Sequence, residues 1–165
     1  MLIKNSYENQ MNLSPLTYLA GLILLSTLGA LAWVDWKTFR LPNILTLPLI
    51  IIGLGYNAFI QDSVWPYVLG AALGYLAFVA IELAYKALRK QDGLGRGDAK
   101  LLAAGGAWCG AMALPYIVLL GSSGAIAYII ATGKYKAANL RLPFGPFLAI
   151  GIAIMWFTQN ILGWG

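Results

Sequence analysis

Histidine is absent from this sequence, cysteine occurs once, and only 10% of the residues are charged. Without histidine, we expect neither a zinc site built on imidazole ligands nor a catalytic triad of the Ser-His-Asp kind. With Cys109 as the one cysteine, the chain can form neither an internal disulfide nor a Cys-x-x-Cys metal site. We therefore expect an activity that uses no metal and no cofactor.

The shortage of charge is matched by a hydrophobic content of 60% over 165 residues. A water-soluble domain of this size could not bury so much apolar surface. Several apolar runs approach the roughly 20 residues that a helix needs to cross a bilayer. They lack the apolar and polar alternation of transmembrane strands. The composition therefore predicts an all-α polytopic membrane protein embedded in the lipid bilayer.

Six apolar runs predict six transmembrane helices. The runs cover about residues 16–34, 42–59, 64–88, 98–112 and 114–132, and a last run follows residues 142–147 and ends near residue 162. Residues 1–15 are expected to form a polar tail, and residues 16–165 a single six-helix domain. Gly70 and Gly74 give the third run a face of small residues suited to close helix packing. The fourth run is rich in alanine and glycine, which predicts a central helix with little exposure to lipid.

The positive charges predict the orientation of these helices. The net charge of +5 does not indicate a nucleic-acid partner, because the basic residues lie in short loops between the apolar runs. Of the 11 Lys and Arg residues, only Lys4 lies outside the loops that follow the first, third and fifth runs. Loops rich in Lys and Arg remain cytoplasmic. Both termini are therefore expected on the non-cytoplasmic side, and Asp35 and Asp98 at the cytoplasmic surface.

Asp98 lies where a glycine-rich segment, Gly93-Leu94-Gly95-Arg96-Gly97, leads into the fourth apolar run. We expect it at or near a helix N-terminus, where unpaired N–H groups favour negative charge. A helix cap is the simpler interpretation of an isolated aspartate there. A phosphate-binding loop is not indicated, because no strand precedes the glycines and no Gly-Lys-Ser/Thr follows them. A second acid, Asp35, is expected just after the end of the first helix, and this pairing points beyond a cap.

Two nearby carboxyl groups cannot both ionise without a penalty, so they are expected to share a proton. The ionised member can then take a proton from water, and the neutral member can protonate a leaving amine. A small proton or cation transporter could use the same acids. Transport sites are expected near the middle of the membrane in broken helices, whereas these acids are predicted at helix ends. The positions therefore favour aspartic proteolysis.

Local charges predict which acid holds the shared proton. Asp98 should be the ionised member, because it begins a helix and is flanked by Arg96 and Lys100. Asp35 should be the protonated member, because it follows the negative end of a helix dipole. A further acid, Glu82, lies inside the third run and is expected to form an ion pair with Lys86, four residues later.

Three motifs in this sequence resemble those of the type IV prepilin leader peptidase family, and they occur in the same order. The string Gly95-Arg96-Gly97-Asp98 is similar to the Gly-x-Gly-Asp signature of membrane aspartic peptidases, and residues 93–101 resemble the family's second active-site motif. Asp35 with Leu41-Pro42-Asn43-Ile44-Leu45-Thr46-Leu47-Pro48 resembles its first motif, and Leu142-Pro143-Phe144-Gly145-Pro146-Phe147 its last. The resemblance extends over about residues 16–162.

This resemblance implies that Asp35 and Asp98 are the catalytic pair of a peptidase in the bacterial inner membrane. The implied substrates are prepilins or pseudopilins, whose basic leader is cut on the cytoplasmic side just after a glycine. The residues expected to shape the site are Gly95, Gly97, Lys100, Pro42 and Asn43. Asp92 is the candidate to bind the cations of the leader, because the other charges beside the two acids are mostly basic. A solvated loop charge without a role in recognition is the alternative interpretation of Asp92.

The sequence departs from the longer family members near its start. Those members carry an N-terminal cytoplasmic region with paired Cys-x-x-Cys motifs and also methylate the new N-terminus. Because the first apolar run begins near Leu16, we expect a peptidase without N-methyltransferase activity. The archaeal preflagellin peptidases use a similar pair of aspartates and are the alternative family.

Overall fold

The computed structural model describes residues 15–89, 95–133 and 142–161, and all the regular secondary structure in this part of the chain is helical. Its elements in chain order are α1 (Pro15–Thr38), α2 (Asn43–Ile60), α3 (Trp65–Arg89), α4 (Arg96–Cys109), a 3₁₀ turn (Ala111–Ala113), α5 (Leu114–Ala131) and α6 (Gly145–Ile161). Each predicted apolar run thus contains one helix, and the all-α class is confirmed. The predicted tail lies outside the described residues.

Four segments within the described ranges are long and apolar enough to cross a membrane. They are α1, α2, the part of α3 from Trp65 to Tyr85, and Ala111–Ala131, which joins the 3₁₀ turn to α5. Only 22% to 33% of the residues in their apolar windows are buried inside the protein. Their outward faces are therefore largely apolar, as a lipid environment requires. The chain is thus a helical transmembrane protein with four candidate spans in its described part, and the expected number of six stays a prediction.

Helix α4 forms the centre of the bundle and packs against α3, α2, α6 and α5. Every residue from Leu101 to Gly110 is buried. With 14 residues the helix is about 21 Å long, shorter than the roughly 30 Å of a bilayer's hydrocarbon core. Small side chains such as Ala103, Ala104 and Gly105 allow its neighbours to surround it. The expectation of a central helix with little lipid exposure is confirmed.

The contact between α3 and α4 depends on glycines. A Cβ atom added to Gly70 would lie 2.5 Å from the carbonyl oxygen of Gly106, and one added to Gly74 would lie 2.7 Å from that of Leu102. Both distances are far shorter than a van der Waals contact, so the two backbones meet where no side chain fits. The predicted face of small residues on α3 therefore packs against the helix that carries Asp98.

Buried hydrogen bonds join α2 to the C-terminal half of α4. The indole Nε1 of Trp108 donates to the carbonyl oxygen of Leu49 over 2.8 Å, and Nδ2 of Asn57 donates to that of Ala107 over 3.0 Å. Polar side chains inside an apolar bundle need such partners. These bonds fix the position of α4 along its own axis, and so the position of Asp98 in its first turn.

Candidate active site

A pocket of about 280 Å³ opens where the end of α1 meets the start of α4. The described residues that line it are Asp35, Phe39, Arg40, Leu41, Gly95, Arg96, Gly97 and Asp98. The two aspartates singled out in the sequence therefore face one space, although they belong to different helices. They are close enough for the carboxyl of Asp35 to affect the protonation of Asp98.

The sequence predicts Asp35 just after the end of α1, but in the structure it lies inside this helix. The helix continues to Thr38, and Phe39 N donates to the carbonyl oxygen of Asp35 over 2.8 Å. Phe39 itself has a φ of 54°, in the left-handed region that commonly ends helices. Lys37 in the last turn is favourable for the helix dipole. The expected boundary was wrong because the apolar run ends before the helix does.

The carboxylate of Asp35 is held by the first residue of α6. Gly145 N donates to Oδ2 of Asp35 over 3.0 Å. The N–H groups in the first turn of a helix have no intrahelical partner and readily bind an anion. A Cβ atom at residue 145 would lie 2.7 Å from the same oxygen, so this contact requires glycine. Asp35 is 5% exposed, and the hydrogen bond offsets part of the penalty for burying its charge.

Gly145 is not among the functional residues predicted from the sequence. It belongs to Leu142-Pro143-Phe144-Gly145-Pro146-Phe147, a segment that only resembles the last motif of the family. A local signal was present, because Pro146 after a glycine is typical of a helix start and a helix start can bind a carboxylate. Nothing in the sequence shows that the carboxylate is Asp35.

Asp98 lies in the first turn of α4, as expected, and its N–H donates to the carbonyl oxygen of Gly95 over 3.0 Å. Helix α4 is not one of the candidate membrane spans. Burial and, to a lesser extent, the neighbouring carboxyl of Asp35 raise the pKa of Asp98 to about 7. Both causes favour the neutral acid over the carboxylate. Asp98 is therefore poised to hold a proton near neutral pH.

The two cations that flank Asp98 in sequence have other partners. Nε of Arg96 lies 3.5 Å from Oε1 of Glu82, a buried acid of α3. Nζ of Lys100 donates to Oδ1 of Asn43 over 2.6 Å. The expected partner of Glu82 was Lys86, whose side chain lies outside the described part; the described ion pair of Glu82 is with Arg96.

These contacts favour the opposite location of the shared proton from the one that the sequence predicts. Asp35 receives a hydrogen bond from Gly145 at the positive end of α6, which favours its carboxylate. Asp98 is partly buried beside that carboxyl group, which favours its neutral form. Helix ends and neighbouring charges along the chain, on which the sequence prediction rests, do not include these contacts. A helix-end effect of roughly 0.3–1 kcal/mol is too small to offset burial and a like charge together.

The residues expected to shape the site lie around the pocket or join the helices that form it. Gly95 and Gly97 line the pocket, and a Cβ atom on Gly97 would lie 2.9 Å from Cβ of Leu41. The carbonyl oxygen of Pro42 accepts the N–H groups of Leu45 and Thr46 at the start of α2. The bond between Lys100 and Asn43 then ties this start of α2 to α4. Asp92, the candidate for binding the leader, lies outside the described residues.

The chemistry available to this pocket is proton transfer. It combines the carboxyl group of Asp35, which Gly145 N holds by a hydrogen bond, with that of Asp98, whose pKa is raised to about 7 by burial and by Asp35. Such a pair can take a proton from water and supply one to a leaving group. Within residues 15–89, 95–133 and 142–161, no three His, Cys, Asp or Glu side chains are grouped so as to hold a metal ion.

Comparisons with known proteins identify one family. Its sequence model, described as the type IV leader peptidase family, matches residues 22–130, a range that includes both aspartates. The chain is 39% identical over 151 residues to a prepilin leader peptidase/N-methyltransferase of Stutzerimonas stutzeri, covering 85% of this chain and 51% of that protein. No solved structure matches the chain.

Two further relatives carry the same name. The protein of Aeromonas hydrophila is 41% identical over 155 residues, which are 88% of this chain and 52% of the relative. That of Burkholderia pseudomallei (strain K96243) is 43% identical over 142 residues, which are 84% of this chain and 46% of the relative. The chain thus spans about half the length of the curated relatives it matches.

An infrared titration tests which acid holds the proton. The band of a protonated carboxyl should disappear as the pH rises through about 7, because burial and Asp35 raise the pKa of Asp98 to about 7. Asp98→Asn should remove this band. In Asp35→Asn the band should remain and its midpoint should move to lower pH, because the neighbouring negative charge is lost.

Glu82→Gln is the control that identifies any band from the other buried acid. The assignment is contradicted if the band titrating near pH 7 persists in Asp98→Asn and is absent from Asp35→Asn.

Proposed function

Since the chain belongs to the type IV leader peptidase family, we propose that it is a membrane aspartic endopeptidase that removes the leader of type IV prepilins or pseudopilins. The observation that carries this proposal is the single pocket lined by both Asp35 and Asp98. The names of the relatives support the substrate class. The proposal concerns the peptidase reaction, because hydrolysis is the chemistry that two facing carboxyls support.

In the proposed reaction, the Asp35 carboxylate takes a proton from a water molecule that attacks the scissile carbonyl. The neutral Asp98 carboxyl donates a hydrogen bond to the carbonyl oxygen as negative charge develops there. When the C–N bond breaks, a proton passes to the leaving amine and the carboxyl product is released. The bond from Gly145 N and the raised pKa of Asp98 support this division of roles.

The walls of the pocket suit an extended peptide backbone. Gly95 and Gly97 present backbone without side chains, so that a substrate chain can approach closely. We propose that cleavage follows a glycine of the substrate, because a residue without a side chain fits where the substrate backbone comes close to that of Gly95 and Gly97. Arg40 and Arg96 also line the pocket and repel a basic leader. The cations of the leader therefore require acids elsewhere, and Asp92 stays the candidate from the sequence.

The positions of the acids argue against a proton or cation transporter. Asp35 lies in the last turn of α1 and Asp98 in the first turn of α4. A transport site is expected near the middle of the bilayer, in helices that are broken there. The archaeal preflagellin peptidases could use the same pair, but the matched relatives are named as prepilin peptidases.

We propose that the pocket faces the cytoplasm in the bacterial inner membrane. Lys37 and Arg40 lie at the end of α1, and Arg96 and Lys100 at the start of α4. Positively charged segments at this end of the helices are expected to stay on the cytoplasmic side. Leader removal then takes place on the side where the substrate is synthesised.

Cleavage by the purified protein tests the proposed function. In detergent it should cut a prepilin at one position after a glycine, as read by mass spectrometry, and a chelator should have no effect. Asp35→Asn and Asp98→Asn should each lower turnover roughly 100-fold or more, because each removes a group that transfers a proton. Asp62→Asn changes an exposed acid in the turn between α2 and α3 and should leave turnover unchanged.

Cleavage that stops with a chelator and returns with zinc contradicts the paired-aspartate mechanism. If no prepilin is cut and the protein moves protons or cations across liposomes, the transporter interpretation replaces the peptidase.

Gly145→Ala tests whether the start of α6 positions Asp35. The added methyl group would lie 2.7 Å from Oδ2 of Asp35 and should displace the carboxylate. A displacement near 1 Å can lower turnover roughly 100-fold, and we expect a loss of this order in prepilin cleavage. Gly55→Ala is the matched control, because a Cβ atom there meets no atom within 4 Å. Wild-type turnover in a folded Gly145→Ala protein contradicts the proposed role of Gly145.

Reporter fusions test the orientation. A reporter placed after Arg40 should be active in the cytoplasm, and one placed after Asp62 should be external, because α2 lies between them and the cations are clustered at the first position. An external reporter after Arg40 would place the pocket on the wrong side for the proposed reaction.

A further inference from the structure

Phe39 has a backbone conformation that is unfavourable for a residue with a side chain. Its φ of 54° makes it the one non-glycine residue with positive φ among those described. Left-handed backbone brings Cβ too close to the next carbonyl, and helices that end this way usually have glycine at this position. The N–H of Phe39 closes the last turn of α1 on the carbonyl oxygen of Asp35. Glycine could make the same bond without the steric penalty.

The side chain of Phe39 is 54% exposed and lines the pocket. The other described residues of the lining are aspartates, arginines, glycines and Leu41, which is buried at 8% exposure. Phe39 is therefore the large, accessible apolar surface in the described wall of the pocket. The same turn that positions its ring also contains Asp35, so the ring and the carboxylate are held in a defined relation.

Anchoring at the membrane interface does not explain this residue. Trp33 and Trp36 are exposed aromatic side chains in the same part of α1. Both lie within the helix and have ordinary helical backbone, as interfacial aromatic residues can. An aromatic ring at residue 39 adds a steric penalty that those positions avoid, so anchoring at the interface gives no reason for a side chain at this position.

We propose that Phe39 is a specificity-determining residue, whose ring binds an apolar side chain of the substrate next to the scissile bond. The inference rests on the proposed peptidase function. A substrate that reaches this pocket from the bilayer presents an apolar segment at the end of α1, which is itself a candidate membrane span. The ring offers that segment an apolar contact beside Asp35. The charged arginine and aspartate side chains of the wall offer none.

Three substitutions separate the ring from the backbone strain. Phe39→Ala removes the ring and keeps a Cβ atom, Phe39→Gly removes both, and Phe39→Leu keeps an apolar side chain. We expect the first two to raise KM for a prepilin roughly 10-fold with little change in kcat, and Phe39→Leu to restore most of the affinity. In thermal unfolding, Phe39→Gly should melt at least about 2 °C above Phe39→Ala, because glycine accepts positive φ.

Trp33→Ala is the matched control, since it removes an exposed aromatic ring of α1 that does not line the pocket. It should leave KM unchanged. Serine substitutions of single apolar residues near the cleavage site of the prepilin identify the contact. At one position the substitution should raise KM with the wild-type enzyme and have no further effect with Phe39→Ala.

The outcomes distinguish this inference from the proposed function. If the wild-type protein cuts the prepilin and Phe39→Ala has the same KM, the inference is overturned and the peptidase function stands. It is also overturned if Trp33→Ala raises KM as much as Phe39→Ala. If the wild-type protein cuts no prepilin, the proposed function and the inference are both overturned.

Discussion

The backbone contact between α3 and α4 is the constraint on which the rest of the structure depends. Gly70 and Gly106 face each other so closely that neither position has space for a methyl group. This approach places α4 inside the bundle, where its alanines and glycines are surrounded by protein. The first turn of that buried helix carries Asp98, so the acid lies in a protein environment and not in the aqueous loop that its neighbours in sequence suggest.

Burial then makes the two acids unequal. A carboxyl removed from water and placed beside another carboxyl favours its neutral form, and Asp98 has no offsetting contact with Arg96 or Lys100, whose partners are Glu82 and Asn43. Asp35 is also buried, but the helix dipole and the N–H of Gly145 stabilise its negative charge. Two residues of the same type thus have different environments in one pocket.

The end of α1 contains both a candidate catalytic acid and a residue with unfavourable backbone conformation. Its last turn contains the catalytic candidate Asp35, and its terminal hydrogen bond is made by a phenylalanine with left-handed backbone. Steric penalties of this kind are concentrated at functional sites, where surrounding contacts outweigh them. Here α6 contacts α1 and its first N–H binds Asp35, so the turn is held by tertiary contacts as well as by its own hydrogen bond.

The sequence by itself determined the all-α class, the number and order of the described helices, the central place of α4 and the pairing of Asp35 with Asp98 as candidates. These features follow from hydrophobic runs, small residues and short motifs, which act over one helix at a time. The predicted end of α1 was wrong by a few residues, because the apolar run ends near residue 34 whereas the helical backbone continues to Thr38.

Only the tertiary structure decided which partner each charged group has. Gly145 reaches Asp35 across 110 positions of the chain, and Arg96 reaches Glu82 from a different helix. The location of the shared proton depends on those contacts and on burial, which local rules applied to Asp35 and Asp98 along the chain do not include. Electrostatic free energies depend on distance and on the surrounding dielectric, and both are established only when helices from distant parts of the sequence pack together.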